Sequence, residues 1–126
     1  MRLEDLEVYQ LSFELSNEIW EVYLQLPKQF KFNIGTQVVR AIDSIGANIA
    51  EGFGRYHYKD SMKFYYNARG SLFESKHWLK LLYSRKLIER DVYESSINKF
   101  DKLRIKLNNF IDSIRQKLQI TMNNYE

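Results

Sequence analysis

Apolar residues recur along this chain at alternating spacings of three and four positions, which is the pattern of helices that each bury one face. The pattern predicts four helices, over residues 5–26, 34–53, 60–86 and 91–120. With a single proline and five glycines, the chain has few breaks, so the connections between helices must be short. Four helices joined by short loops predict an all-α fold, an antiparallel up-down four-helix bundle. We expect one domain over residues 1–120 and a short tail over residues 121–126.

Residues that can cap helices mark the expected boundaries. Side chains able to accept hydrogen bonds from free backbone N–H groups stand at the predicted starts: Asn33, Asp60 or Ser61, and Asp91 with Glu94 as a capping box. Residues that end helices stand where the pattern stops: Pro27, Gly52 and Gly54.

The first predicted helix differs from the others because it carries two apolar stripes. One consists of Leu6, Tyr9, Phe13, Trp20 and Tyr23, and the second stripe consists of Leu11, Leu15, Ile19, Val22 and Leu26. At about 100° per residue these stripes lie on separate faces, and only one of them can face the bundle core. Burying each such side chain is worth roughly 1.5–3 kcal/mol, so the other stripe favours a covered surface. We therefore expect a homo-oligomer, with the second stripe as its interface.

A polar stripe accompanies the isoleucines of the second helix and faces a similar set on the third. Its members are Arg40, Ser44, Asn48 and Glu51 on the second helix and Arg69, Ser71 and Glu74 on the third. A buried carboxylate needs a partner, so we expect Arg69 to meet Glu51, or Glu74 to meet Arg40, within a structural polar network. No nucleophile and base stand together in this set, so we expect no active site and no enzyme.

Composition narrows the remaining classes of function. Hydrophobic residues make up 44% of the chain and aromatic residues 15%, which is too apolar for a disordered protein. The absence of cysteine excludes disulfides, thiolate metal sites and cysteine catalysis, and fits a cytoplasmic location. The acidic start and the lack of a long apolar run argue against a targeting peptide and a membrane span. A lone Glu74-x-x-His77 pair is too little for a di-iron site, so we expect neither a metal nor a cofactor.

Charge is distributed unevenly along the chain. Residues 1–27 hold six acids and one base, whereas residues 28–126 hold eighteen bases and ten acids. The basic candidates are Lys99, Lys102, Lys106 and Lys117 on the fourth helix, then Arg55, Lys59, Lys76 and Lys80. Such residues suit contacts with the phosphates of RNA or DNA that do not read bases. A basic cluster can also be an ordinary solvated surface, and that alternative stays open.

Three segments carry a resemblance to a known family: LEVYQLS near the start, SIGANIAEG at 44–52 and ARGSLFE at 68–74. Together they resemble the S23, or 23S rRNA intervening-sequence, proteins, and the resemblance spans residues 3–118. The chain also resembles the accessory variability determinant of diversity-generating retroelements, which is similar to that family. The resemblance implies an antiparallel four-helix bundle that forms a homopentamer with a basic surface. It also implies nucleic acid, or a protein such as a reverse transcriptase, as partner. The family signature falls on Ser44, Asn48, Glu51, Gly52, Arg69, Gly70, Ser71 and Glu74, while Gly46 stands where many relatives have proline.

Two functional hypotheses follow from the sequence. The first is a non-enzymatic homo-oligomer, pentameric by resemblance, that binds RNA or DNA electrostatically. The alternative is a protein-interaction scaffold that does not touch nucleic acid. Replacing the fourth-helix lysines with glutamate separates them, because only nucleic-acid binding needs those charges.

Overall fold

Four long helices make up most of the computed structural model, which describes residues 1–124. They are α1 (Glu7–Gln25), α2 (Thr36–Phe53), α3 (Tyr58–Ser84) and α4 (Arg90–Asn123). Leu3–Asp5 forms a 3-10 turn, Lys28–Phe30 a short α-helical turn and Lys31–Gly35 a π-helical turn. These described residues include no strand, so the predicted all-α class is confirmed.

Contacts between neighbouring helices show that the bundle is antiparallel. Along α1 and α2, Ser16 meets Ile42 and Ser12 lies beside Gly46, so one number rises as the other falls. The same opposite register holds between the other neighbouring helices. Ser44 meets Ser71 and Gly52 meets Tyr65 between α2 and α3, and Lys76 meets Asp101 and Tyr65 meets Phe110 between α3 and α4. Glu18 meets Lys99 and Glu7 meets Lys106 between α1 and α4. The four helices therefore form a closed up-down ring, as the sequence predicted.

The core lies along the axis of this ring and draws one apolar face from each helix. Its largest fully buried side chain is Phe100, and the isoleucines of α2 meet leucines from the other three helices around it. Gly52 of α2 is a point of close approach, because an added Cβ would lie 2.5 Å from the Tyr65 ring. Gly70, by contrast, has open space where its side chain would be. Core packing therefore explains Gly52, whereas no contact within the protomer explains Gly70.

The second stripe of α1 lies in this core, which corrects the predicted interface. Ile19 is 0% exposed, Leu15 and Leu26 are also buried, Leu11 is half-buried against the same cluster, and Val22 is half-buried. The helical period alone cannot tell which of two stripes faces inward. The aliphatic stripe faces the core, whereas in the other stripe Phe13 and Trp20 are left at the surface and Tyr9 and Tyr23 pack only partly against the core.

All three expected helix starts are also wrong, and α3 begins before Asp60 and Ser61, with His57 as its N-cap. The backbone becomes helical directly after Pro27, so Asn33 lies inside a helical turn and its amide donates to Gln29 O instead of capping. At the start of α4 the N-cap is Glu89, and Glu94 pairs with Arg90 at 2.9 Å instead of closing a capping box. That hydrogen bond raises the pKa of the Arg90 guanidinium above its usual value. Asn33 and Glu94 each bond to a residue four positions earlier in the chain, so neither side chain acts as a helix cap.

The predicted tail differs in part as well. α4 continues to Asn123, three residues past the expected end, and residues 125–126 lie outside the described part of the chain. Across residues 1–124, none of the helices has both the length and the apolar character needed to cross a membrane.

The turn after α3 holds a residue in an unfavourable backbone conformation. Lys86 has φ of 60°, and its N–H donates to Tyr83 O while the N–H of Leu87 donates to Leu82 O. These two bonds are the Schellman pattern, in which glycine is preferred because it has no Cβ.

Replacing Lys86 with glycine should therefore raise the free energy of unfolding by about 1 kcal/mol, since it removes strain without removing a contact. Thermal unfolding followed by circular dichroism measures the effect. Arg85→Gly is the matched control, because Arg85 has φ of −88° and gains nothing from glycine. A Lys86→Gly protein no more stable than the parent would contradict this explanation of the turn.

Candidate nucleic-acid interface

The polar network predicted between α2 and α3 exists, although with a smaller membership than expected. The hydroxyls of Ser44 and Ser71 are 3.0 Å apart, and the Asn48 amide donates to both the carbonyl and the hydroxyl of Ser44. Ser75 adds a bond to the Ser71 carbonyl. These half-buried groups satisfy one another and join α2 to α3, so their contribution is structural.

The charged members of the predicted network lie elsewhere. Glu51 pairs with Arg55 at 2.6 Å, and Glu74 accepts a hydrogen bond from the Trp78 indole. Arg69 donates to Asn108 of α4 and lies 5.0 Å from the Tyr66 ring centroid, while Arg40 is exposed. The expected pairs of Arg69 with Glu51 and of Glu74 with Arg40 are wrong. The carboxylates sit at the surface, where partners one helical turn away are nearer than those on the next helix.

Replacing Ser71 with alanine should lower the free energy of unfolding by about 1 kcal/mol, because the Ser44 hydroxyl loses one partner in a half-buried site. Urea denaturation measures the change. Ser113→Ala is the control, since Ser113 is exposed and bonds only to Phe110 O of its own helix. The Ser44→Ala, Ser71→Ala double variant should lose less than the two single losses added together. Strict additivity would show that the hydroxyls do not interact.

Half of the basic candidates are engaged with acids. Lys99 contacts Glu18 at 2.7 Å and Lys106 contacts Glu7 at 3.5 Å, both across the junction of α4 with α1. The other two pairs are Lys76 with Asp101 and Arg55 with Glu51. Exposed pairs of this kind add only about 0–1 kcal/mol to stability, but they place a negative charge beside each cation. Two of the four lysines in the α4 stripe are thus offset by acids of α1.

The remaining candidates have no carboxylate within ion-pair distance in the part of the chain that the structure describes. They are Lys59, Lys80, Lys102 and Lys117, and all four are exposed. Lys59 lies in the first turn of α3 and Lys80 lies 21 positions later, about 30 Å away along the helix. The predicted residues therefore do not form one face, and only some of them converge.

Convergence occurs at the end of the bundle where α2 passes into α3. Lys117 of α4 lies over the Tyr58 ring at 5.6 Å, and Arg55 lies over the Phe64 ring at 4.7 Å. Lys63 approaches Phe64 from 5.1 Å, and Lys59 lines a groove that also reaches α4. We call the group Arg55, Lys59, Lys63 and Lys117 the basic end. Arg55, Lys63 and Lys117 each lie over an aromatic ring, which does not neutralise a cation, although Arg55 is also paired with Glu51.

Tyr58 and Phe64 are the contributors that sequence reasoning missed. Each ring lies under a cation, and the contact of Tyr58 with Lys117 joins two residues that are far apart in the sequence. A register calculation for antiparallel α3 and α4 could have found that pair. Nearby Tyr65 is no additional charge, because burial raises the pKa of its phenol.

Within residues 1–124 no three His, Cys, Asp or Glu side chains stand close enough to hold a metal ion.

Exposed apolar residues gather on two opposite sides of the bundle. On the α1–α2 side, which we call the aromatic face, Phe13 is 57% and Trp20 46% exposed, beside a groove whose other wall includes Gly46, Ala47 and Ala50. On the α3–α4 side, Phe73 and Ile105 are about half exposed. Phe73 follows Arg69 by one turn and Ile105 follows Asp101 by one turn, and both of those residues contact the neighbouring helix. We call Phe73, Ile105 and their basic neighbours Arg69 and Arg104 the opposite face.

Comparison with known proteins identifies relatives of this chain. The model of a family described as 23S rRNA-intervening sequence protein matches residues 4–109. A crystal structure at 1.70 Å resolution, of a protein of unknown function from the S23 ribosomal protein family of Bacteroides thetaiotaomicron, is similar with 30% sequence identity and a TM-score of 0.77. That similarity covers 82% of this chain and 97% of the other. No curated protein matches the sequence.

Proposed function

We propose that this chain, which belongs to the 23S rRNA-intervening sequence protein family, is a non-enzymatic protein that assembles with copies of itself and binds RNA or DNA electrostatically. The absence of cysteine supports a cytoplasmic site of action.

The basic end is the single observation that carries nucleic-acid binding. Arg55, Lys59, Lys63 and Lys117 come from three segments of the chain and lie at the same end of the bundle, around the rings of Phe64 and Tyr58. Arg55 and Glu51 offset each other at 2.6 Å, which leaves Lys59, Lys63 and Lys117 against the nearby acid Asp60. Flexible lysines fit the phosphate backbone without demanding a sequence, so binding should be weakly sequence-specific.

Self-assembly is supported by the two apolar faces. The aromatic face and the opposite face each present exposed apolar side chains that the protomer does not bury. Different surfaces that bind each other produce head-to-tail contacts, which close into a ring when the rotation permits. The resemblance favours five subunits in that ring, and a ring would repeat the basic end around one rim.

Gly70 agrees with such a contact. An exposed glycine inside a helix costs up to about 1 kcal/mol relative to alanine, and nothing within the protomer lies where its side chain would be. It is three positions from Phe73, so a neighbouring backbone that approached the opposite face would account for it.

Direct binding tests the proposal. Purified protein, freed of nucleic acid, is titrated into labelled structured RNA and labelled duplex DNA at low ionic strength, and fluorescence anisotropy is measured. We expect saturable binding to both. If the protein binds neither the RNA nor the DNA at low ionic strength, the nucleic-acid function is wrong.

A protein-interaction scaffold is the second candidate, and the aromatic face favours it. Exposed tryptophan and phenylalanine are typical anchors of protein interfaces. In that case the face binds a different protein, for example a reverse transcriptase as the resemblance implies, and the chain stays monomeric alone. The assembly measurement described in the Discussion separates the two uses of this face.

A further inference from the structure

Two exposed aromatic rings stand where the loop after α2 enters α3, and neither belongs to the core. Tyr56 is 94% exposed, and its ring meets only the edge of the His57 ring, at 4.7 Å and 90°. Tyr58 follows and is also exposed beneath Lys117. An aromatic side chain held almost entirely in water contributes next to nothing to folding, because it buries almost no apolar area. These rings are available to a ligand.

A groove of about 510 Å³ opens beside these rings. Its lining comes from both sides of the bundle end and consists of Tyr56, His57, Tyr58, Lys59, Asp60, Leu118 and Thr121. One wall is therefore aromatic, and the other wall is the apolar and hydroxyl surface of α4. Flat apolar groups fit such a groove better than a hydrated phosphate does.

The charges around the groove complete the pattern. Lys59 lines it, Lys117 lies over Tyr58 at its edge, and Arg55 precedes Tyr56 directly. Asp60 is the acid of the lining, so it disfavours a phosphate at that point and can accept a hydrogen bond from a base amino group. Cations on the rim and rings inside are the arrangement of proteins that hold unpaired nucleotides, with phosphates outside and bases stacked within.

We infer that this groove binds single-stranded nucleic acid, with an unpaired base stacked on Tyr56 and the flanking phosphates held by Arg55, Lys59 and Lys117. The inference rests on the proposed function and specifies its substrate. In a duplex the faces of the bases are covered by their neighbours, so only phosphate contacts remain and binding is weaker.

The test compares one labelled RNA strand that has no internal pairing with the same strand annealed to its complement. The protein should bind the free strand more tightly than the duplex. Tyr56→Ala should weaken binding of the free strand by about 5- to 100-fold, the usual range for one stacked base, and should leave the duplex affinity within about twofold. Tyr56→Phe should bind like the parent, because its ring still stacks.

Tyr66→Ala is the control, since Tyr66 is an exposed tyrosine of α3 that lies outside the groove. It should leave both affinities unchanged. If Tyr56→Ala loses affinity equally for the free strand and the duplex, or for neither, the stacking site is wrong. Salt-sensitive binding of the duplex would still support the proposed function. Absence of binding to both forms by the parent protein would overturn the two together.

Discussion

Replacing Lys59, Lys63 and Lys117 together by glutamine should weaken binding of structured RNA by about 100-fold or more at an ionic strength of about 0.1 M. Each phosphate contact contributes about 0.7–0.9 to the slope of log affinity against log salt, which corresponds to somewhat less than tenfold per contact at that salt concentration. Three lost contacts therefore give two decades or slightly more. The three residues lie at the surface and hold no core contact, so the protein should fold as before.

A second triple variant with the same net charge serves as the control. Lys76, Lys99 and Lys106 also change to glutamine, which removes three positive charges from places where an acid already stands beside each lysine. We expect a loss of less than about fivefold in this protein. Comparable losses in the two variants would show that binding depends only on the total charge, and the basic end would then have no special role.

Replacing Phe13 and Trp20 by glutamate should convert the assembled protein to monomers of 15.2 kDa. Buried aromatic anchors often contribute about 2 kcal/mol or more each to an interface, so losing two weakens every contact by about a thousandfold or more. Both side chains are about half exposed in the protomer, and the fold should therefore survive. Light scattering coupled to size-exclusion chromatography measures the mass.

Phe32→Glu with Ile120→Glu is the control for assembly, because both residues are exposed and neither belongs to the two proposed faces. This protein should keep the mass of the parent. If the parent itself is a monomer, self-assembly is wrong and the aromatic face belongs to a different protein partner. If the Phe13 and Trp20 variant stays assembled, the interface lies on another surface.

Much of the fold follows from local pattern. The three- and four-residue spacing gave all four helices, and Pro27 and Gly54 ended the first two where expected. Starts were less certain, since Asn33 and Glu94 could satisfy their hydrogen bonds inside a helix as well as at a cap. The choice between the two stripes of α1 was wrong because both have a helical period, and only packing against the other helices selects one.

The site was harder to predict because it depends on distances across the fold. Lys99 and Glu18 are 81 positions apart, so nothing in the local sequence shows that this lysine is paired. Ser44, Asn48 and Ser71 were predicted correctly as a structural network, since steps of three and four place them on facing surfaces. The sequence grouped Lys117 with the other lysines of α4, but in the structure it lies over the Tyr58 ring and so belongs to the basic end.

The salt dependence of RNA binding by the parent protein tests the central claim most directly. Affinity for labelled structured RNA is measured at a series of salt concentrations, and log affinity is plotted against log salt. We predict a linear fall with a slope of about −2 or steeper, because at least three phosphates meet the basic end of each protomer. A slope near zero, or no binding at the lowest salt concentration, would contradict electrostatic recognition of nucleic acid by this bundle.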